Sequence, residues 1–116
     1  MAWTSLYSGS ASISTTEYSL TLSSTTGVPA TKTDNGTMQL FVDFNALASG
    51  DQYEVKWYEK ARSAGTQRVL SKRLICGGQT TPIFTFPALM LGNGWDVTIV
   101  KVAGTDRTID WEIRKV

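Results

Sequence analysis

From Met38 onward the chain alternates. Met38, Leu40, Val42 and Phe44 are apolar while Gln39, Asp43 and Asn45 are polar, and only Phe41 interrupts the polar set. Tyr53, Val55 and Trp57 alternate with Glu54, Lys56 and Tyr58, and Ile109, Trp111 and Ile113 with Asp110, Glu112 and Arg114. A period of two places one face of a strand on a core and the other toward water, which suits half-buried antiparallel strands. Turn formers separate the runs at short intervals: Ser49-Gly50-Asp51, Ser63-Ala64-Gly65, Gly77-Gly78, Gly92-Asn93-Gly94 and Gly104-Thr105-Asp106. The pattern predicts strands near 12–22, 37–45, 52–62, 67–76, 81–86, 95–103 and 108–116. About seven antiparallel strands joined by hairpins make an all-β domain, either a single β-sandwich or a small barrel.

Two stretches fall outside this pattern. Residues 87–91, Pro-Ala-Leu-Met-Leu, suit one helical turn, because proline is tolerated at a first helical position, or a crossing segment. Ser24 to Gly36 reads as a long loop. The N-terminus is different again, since fourteen of the first 26 residues are Ser or Thr. These residues have little to bury, and their hydroxyls compete for backbone hydrogen bonds. The expected division is therefore an N-terminal arm over residues 1–11 and a β-sandwich domain over residues 12–116. Trp3, Leu6 and Tyr7 are apolar anchors in that arm, suited to a neighbouring protein or to the arm's own domain.

Composition narrows the chemistry. At 116 residues the chain fits one domain with a sizeable core. It has no histidine, which removes Ser-His-Asp and Cys-His catalysis and histidine-ligated zinc. A single cysteine, Cys76, allows no intrachain disulfide and reads as a small buried hydrophobe. Asp110 and Glu112 share an outward strand face, as do Asp43 and Asn45, and solvated surface charge is the ordinary explanation there. Gly77-Gly78 lacks the Lys-Ser/Thr of a phosphate loop, and Asp34-Asn35-Gly36 lacks the later ligands of a calcium loop. The expectation is a chain that is not an enzyme and carries no cofactor or metal. No apolar run reaches the ~20 residues of a membrane crossing, and the first residues lack a secretory pattern.

Charge is uneven although the total is only +1. Residues 51–73 hold Lys56, Lys60, Arg62, Arg68, Lys72 and Arg73 against Asp51, Glu54 and Glu59. This hairpin is a basic finger, with Lys56, Tyr58, Lys60 and Arg62 expected on one face. An acidic protein partner or edge-strand protection accounts for it better than nucleic acid, which favours strongly basic domains. The expected partner contacts are thus Trp3, Leu6 and Tyr7 of the arm with Lys56, Tyr58, Lys60, Arg62, Arg68, Lys72 and Arg73 of the finger. Trp57, Trp95 and Trp111 lie in register with core positions. That leaves Trp3, Tyr7 and Tyr58 for any glycan.

The runs Gly94-Trp95-Asp96-Val97-Thr98, Ala103-Gly104-Thr105-Asp106-Arg107 and Ile109 to Val116, preceded by Tyr53-Glu54-Val55, resemble the ending of small structural proteins of tailed bacteriophages. The resemblance covers about residues 51–116 and is one of pattern, so no functional residue is carried over from it. It implies a virion protein made in the host cytoplasm, of the capsid decoration (cement) type or another head or tail part. Such a protein would be present in many copies or as a homo-oligomer, bound to a capsid or other virion protein. The alternative is a carbohydrate-binding or host-attachment β-sandwich module.

Overall fold

The computed structural model describes residues 2–116. It contains ten strands: β1 (Thr4–Ile13), β2 (Tyr18–Ser19), β3 (Ser24–Thr25), β4 (Gly36–Asp43), β5 (Gln52–Glu59), β6 (Arg68–Cys76), β7 (Ile83–Thr85), β8 (Leu89–Leu91), β9 (Asp96–Ala103) and β10 (Arg107–Lys115). They form two antiparallel five-stranded sheets. One runs β1-β10-β4-β7, with β8 also on β4, and the other runs β3-β2-β9-β5-β6. The domain is therefore all-β and sandwich-like, and it does not close into a barrel. Among the described residues there is no helix, and so none long and apolar enough to cross a membrane.

The alternating positions meet between the sheets. Met38, Leu40 and Val42 of β4 and Ile109, Trp111 and Ile113 of β10 face Tyr53, Val55 and Trp57 of β5 and Val97 and Ile99 of β9, and all are buried. Each such aliphatic side chain contributes about 1.5–3 kcal/mol when fully removed from water. Trp57 and Trp95 stack at a tilt with ring centroids 6.2 Å apart, so these tryptophans belong to the core, as their register implies.

The Ser/Thr-rich start departs from the expected arm. Residues 4–13 are an edge strand pairing with β10 along nearly its whole length, from Thr4 opposite Lys115 to Ile13 opposite Arg107. The strand crosses the expected boundary at residues 11/12. Its inward set is Tyr7, Gly9, Ala11 and Ile13, small in the middle because Gly9 lies against the Trp111 indole. A Cβ at Gly9 would come within 2.7 Å of that ring. The expected 12–22 strand is thus the end of β1, a turn, and the two-residue β2.

The remaining differences are local. Residues 89–91 form β8 instead of a helical turn, pairing with Gly36–Met38 just after β7 pairs with Phe41–Asp43. Pro87, which has no N–H to donate, marks the break between these two short edge strands. Within the expected 24–36 loop, Ser24–Thr25 form β3 and Lys32 bridges to Trp95.

Two carboxylates clip the sheets to their loops. Asp96 is 0% exposed. Its carboxylate accepts the Ser19 hydroxyl at 2.9 Å, the Thr21 hydroxyl at 2.7 Å, and the amides of Ala30 at 2.9 Å and Val97 at 2.8 Å. At the base of the β5–β6 hairpin, Asp51 accepts the amides of Ala48 and Thr105 and the Arg107 guanidinium at 2.8 Å. Those amides, with the arginine, draw its pKa down to about 2. Gly77 closes the same corner, donating its amide to the Asp51 carbonyl at 2.8 Å.

Candidate docking surface

β6 forms one outer edge of the second sheet, paired to β5 on one side only. Tyr53, Val55 and Trp57 stand opposite Ile75, Arg73 and Ser71, and Leu70 is the extra residue of a bulge between Ser71 and Val69. Of its nine residues only Ile75 is buried. Val69, Leu70 and Leu74 are 51%, 49% and 48% exposed. A lysine and a bulge are ordinary means of discouraging edge-to-edge pairing, and β6 has both. Three half-exposed aliphatic side chains on the same strand go beyond what protection requires.

Both ends of the edge are held. At the base, the Asp51 corner fixes Gly77 just beyond Cys76. At the tip, the Glu59 carboxylate accepts the amides of Lys60 at 2.9 Å, Gly92 at 2.9 Å and Asn93 at 3.2 Å. The Gln67 side chain donates to the carbonyls of Ala30 and Gly94, at 2.6 and 2.9 Å. A concavity of about 340 Å³ opens beside the tip, lined among others by Lys60, Arg62, Arg68, Val69 and Leu70.

The basic residues of the hairpin divide into two groups. Lys56 and Tyr58 on β5 both turn to Glu17 in the β1–β2 turn, at 3.1 and 2.9 Å. Burial pulls the Glu17 carboxyl upward, but its hydrogen bonds with Lys56 and Tyr58 prevail and leave its pKa below the usual value. The same contact raises the pKa of Lys56; burial and then the bond to Glu17 raise that of Tyr58. These two residues are occupied within the domain. Lys60, Arg62, Arg68, Lys72 and Arg73 form no ion pair among the described residues. Lys60 and Arg62 lie beyond the end of β5, so the single face expected for Lys56, Tyr58, Lys60 and Arg62 is split. Arg73 lies over the rings of Phe84 and Phe86, at 5.3 and 5.5 Å, and covers one side of the sandwich.

The N-terminal candidates are tied to their own domain to different degrees. Tyr7 donates its hydroxyl to Asp34 at 2.6 Å, meets Trp95 edge-on, and has its pKa pushed up to about 12 by burial and then by the bond to that carboxylate. Leu6 packs against the core. Trp3 is 53% exposed, but the Arg114 guanidinium lies 4.5 Å from its ring centre and 3.8 Å from that of Phe41.

Other candidate chemistry is dispersed. Asp43 stands opposite Asp110 across β4 and β10, a pairing that spacing along the chain does not reveal. Among the described residues no three His, Cys, Asp or Glu side chains are grouped to hold a metal ion. Cys76, expected to be buried, is exposed at the end of β6. Sequence reasoning missed Glu17, although it is the lone carboxylate of the first 33 residues, and missed Asp96 as a buried anchor. No protein-family model matches the chain, and no curated protein matches it significantly in sequence.

Proposed function

We propose that this chain is a non-enzymatic structural protein of a virion, of the capsid decoration type, which docks on a neighbouring coat protein through the exposed edge of the β5–β6 hairpin. The observation that carries the docking role is β6 itself. It is a nine-residue edge strand held at both ends, with three half-exposed aliphatic side chains between cations that lack a carboxylate partner. A surface of this kind gains by being covered, because apolar burial and backbone pairing reinforce one another there. The bacteriophage pattern of residues 51–116 supplies the setting, and the many-copy arrangement of a virion suits a small domain with a free edge. Trp3, still half exposed beside Phe41, keeps glycan attachment as the second reading.

The test is whether the chain travels with particles. Phage particles made in a host carrying the gene should be banded by density, probed with antibody to the purified domain, and imaged after gold labelling. The proposal expects the chain in the particle band, in many copies, with label on the particle surface. A chain found only in the soluble fraction, or eluted from particles by simple sugars, would refute it.

A further inference from the structure

We propose that the free edge of β6 takes up an extended, acid-rich segment of a neighbouring protein as an additional strand. The virion reading supplies only the identity of that neighbour; the binding itself rests on the geometry of the edge.

Strand addition needs an unpaired backbone edge long enough to form a ladder, and β6 offers nine residues with one side on β5. It also benefits from an edge that is already ordered, since ordering a segment on binding opposes affinity. The Asp51–Gly77 corner and the Glu59 and Gln67 contacts hold both ends of β6 in place before any partner arrives. The bulge at Leu70 interrupts the register of β6, so the regular ladder site is Ser71–Cys76, with Val69 and Leu70 beside the concavity at the tip. Pairing with β5 places Lys72 and Leu74 opposite Lys56 and Glu54 on the outer face. Arg73 and Ser71 lie on the other face, opposite Val55 and Trp57. A strand laid along this edge meets a cation on either face.

Charge chooses the occupant. β6 contains Arg68, Lys72 and Arg73 and no carboxylate, so pairing two copies edge to edge would gather six cations on one seam. Like charges facing each other across strands are destabilising, whereas an acidic strand answers them. Nucleic acid would satisfy the cations but leave Val69, Leu70, Leu74 and the backbone edge unused.

The experiment uses the full chain and three peptides of about ten residues. One alternates threonine with glutamate, one threonine with lysine, and one is the threonine–glutamate peptide methylated at every backbone nitrogen, which keeps the charge but has no N–H to donate to a ladder from either edge. Binding is read by titration and by hydrogen exchange of the Arg68–Cys76 amides. The threonine–glutamate peptide should bind at least about tenfold more tightly than the other two, weaken as salt rises, and slow exchange at β6. The double variant Arg68→Glu, Lys72→Glu should keep the wild-type circular dichroism spectrum and lose most of that binding. Four results would overturn the proposal. They are equal binding of the N-methylated peptide, no binding of the threonine–glutamate peptide at millimolar concentration, equal protection of β6 by a thymidine oligonucleotide, and a dimer of the chain alone that protects the same amides. Particle association, measured separately, decides the virion reading whichever way the peptides behave.

Discussion

Replacing Asp96 with alanine removes the acceptor around which β2, the loop carrying Ala30 and the start of β9 are organised. Four donors converge on that carboxylate, from Ser19, Thr21, Ala30 and Val97, and Asp96 itself is fully buried. The loss is partly recoverable, because the Ser19 and Thr21 hydroxyls lie 3.3 Å apart and can bond to each other. The amides of Ala30 and Val97 have no such substitute. An unsatisfied buried donor costs about 1–3 kcal/mol, so two of them, less the relief of a buried charge, give a net loss of about 2–4 kcal/mol. A domain of this size has about 5–15 kcal/mol of stability in total. At about 4 °C per kcal/mol, the thermal midpoint should fall by roughly 8–16 °C. Asp96→Asn should lose less, because its carbonyl oxygen keeps some of the donors while its NH₂ opposes another. Thermal and urea unfolding followed by circular dichroism measure both. A midpoint for Asp96→Ala within about 2 °C of wild type would refute the anchoring role, because two stranded amide donors could not be so inexpensive.

Three further outcomes follow from the packing. Gly9→Val should destabilise by about 1–3 kcal/mol, because its side chain would be driven into the Trp111 ring; an unchanged urea midpoint would mean that residues 4–13 are not held as β1. Trp57→Ala should cost about 3–5 kcal/mol, the range for removing a buried large aromatic, and a smaller change in thermal midpoint than that of an exposed Asp110→Ala control would contradict its core position. Because the folded pKa of Asp51 is depressed from 3.8 to about 2, its contribution should be complete above about pH 5 and disappear as pH falls through 4 toward 2. The stability difference between wild type and Asp51→Asn should narrow over that window, and a difference unchanged from pH 6 to pH 2 would remove the link.

Most of the sandwich was legible because its strands advertise their buried face. β4, β5, β9 and β10 lie within two or three residues of the expected limits, since their inward positions are large and apolar. β1 hides the same periodicity. Its inward positions include Gly9 and Ala11, kept small by the width of the Trp111 indole, and a register shift between Ser5 and Tyr7 breaks the alternation. No count of apolar residues finds a strand whose role is to make room. β7 falls inside the expected 81–86 strand, whereas β8 was hidden by Pro87, which suited a helical turn where the same edge in fact resumes. At the candidate docking surface, the basic character of the hairpin was plain from composition, and the lack of carboxylate partners for five of its cations was not. That Lys56 and Tyr58 are taken by Glu17, 39 and 41 residues away in sequence, depends on β2 lying beside β9. Such a contact is set by sheet order, which local spacing does not encode.

Hydrogen exchange on intact particles decides whether β6 is the docking edge we propose. Amide exchange of the chain would be compared free in solution and bound in purified particles. If β6 docks as proposed, the chain is recovered with the particles and the amides of Arg68–Cys76 slow markedly there, while those of the opposite edge strand β1 change least. Recovery with β6 exchanging as fast as in the free chain would rule that docking out. So would protection confined to the Trp3–Phe41 face.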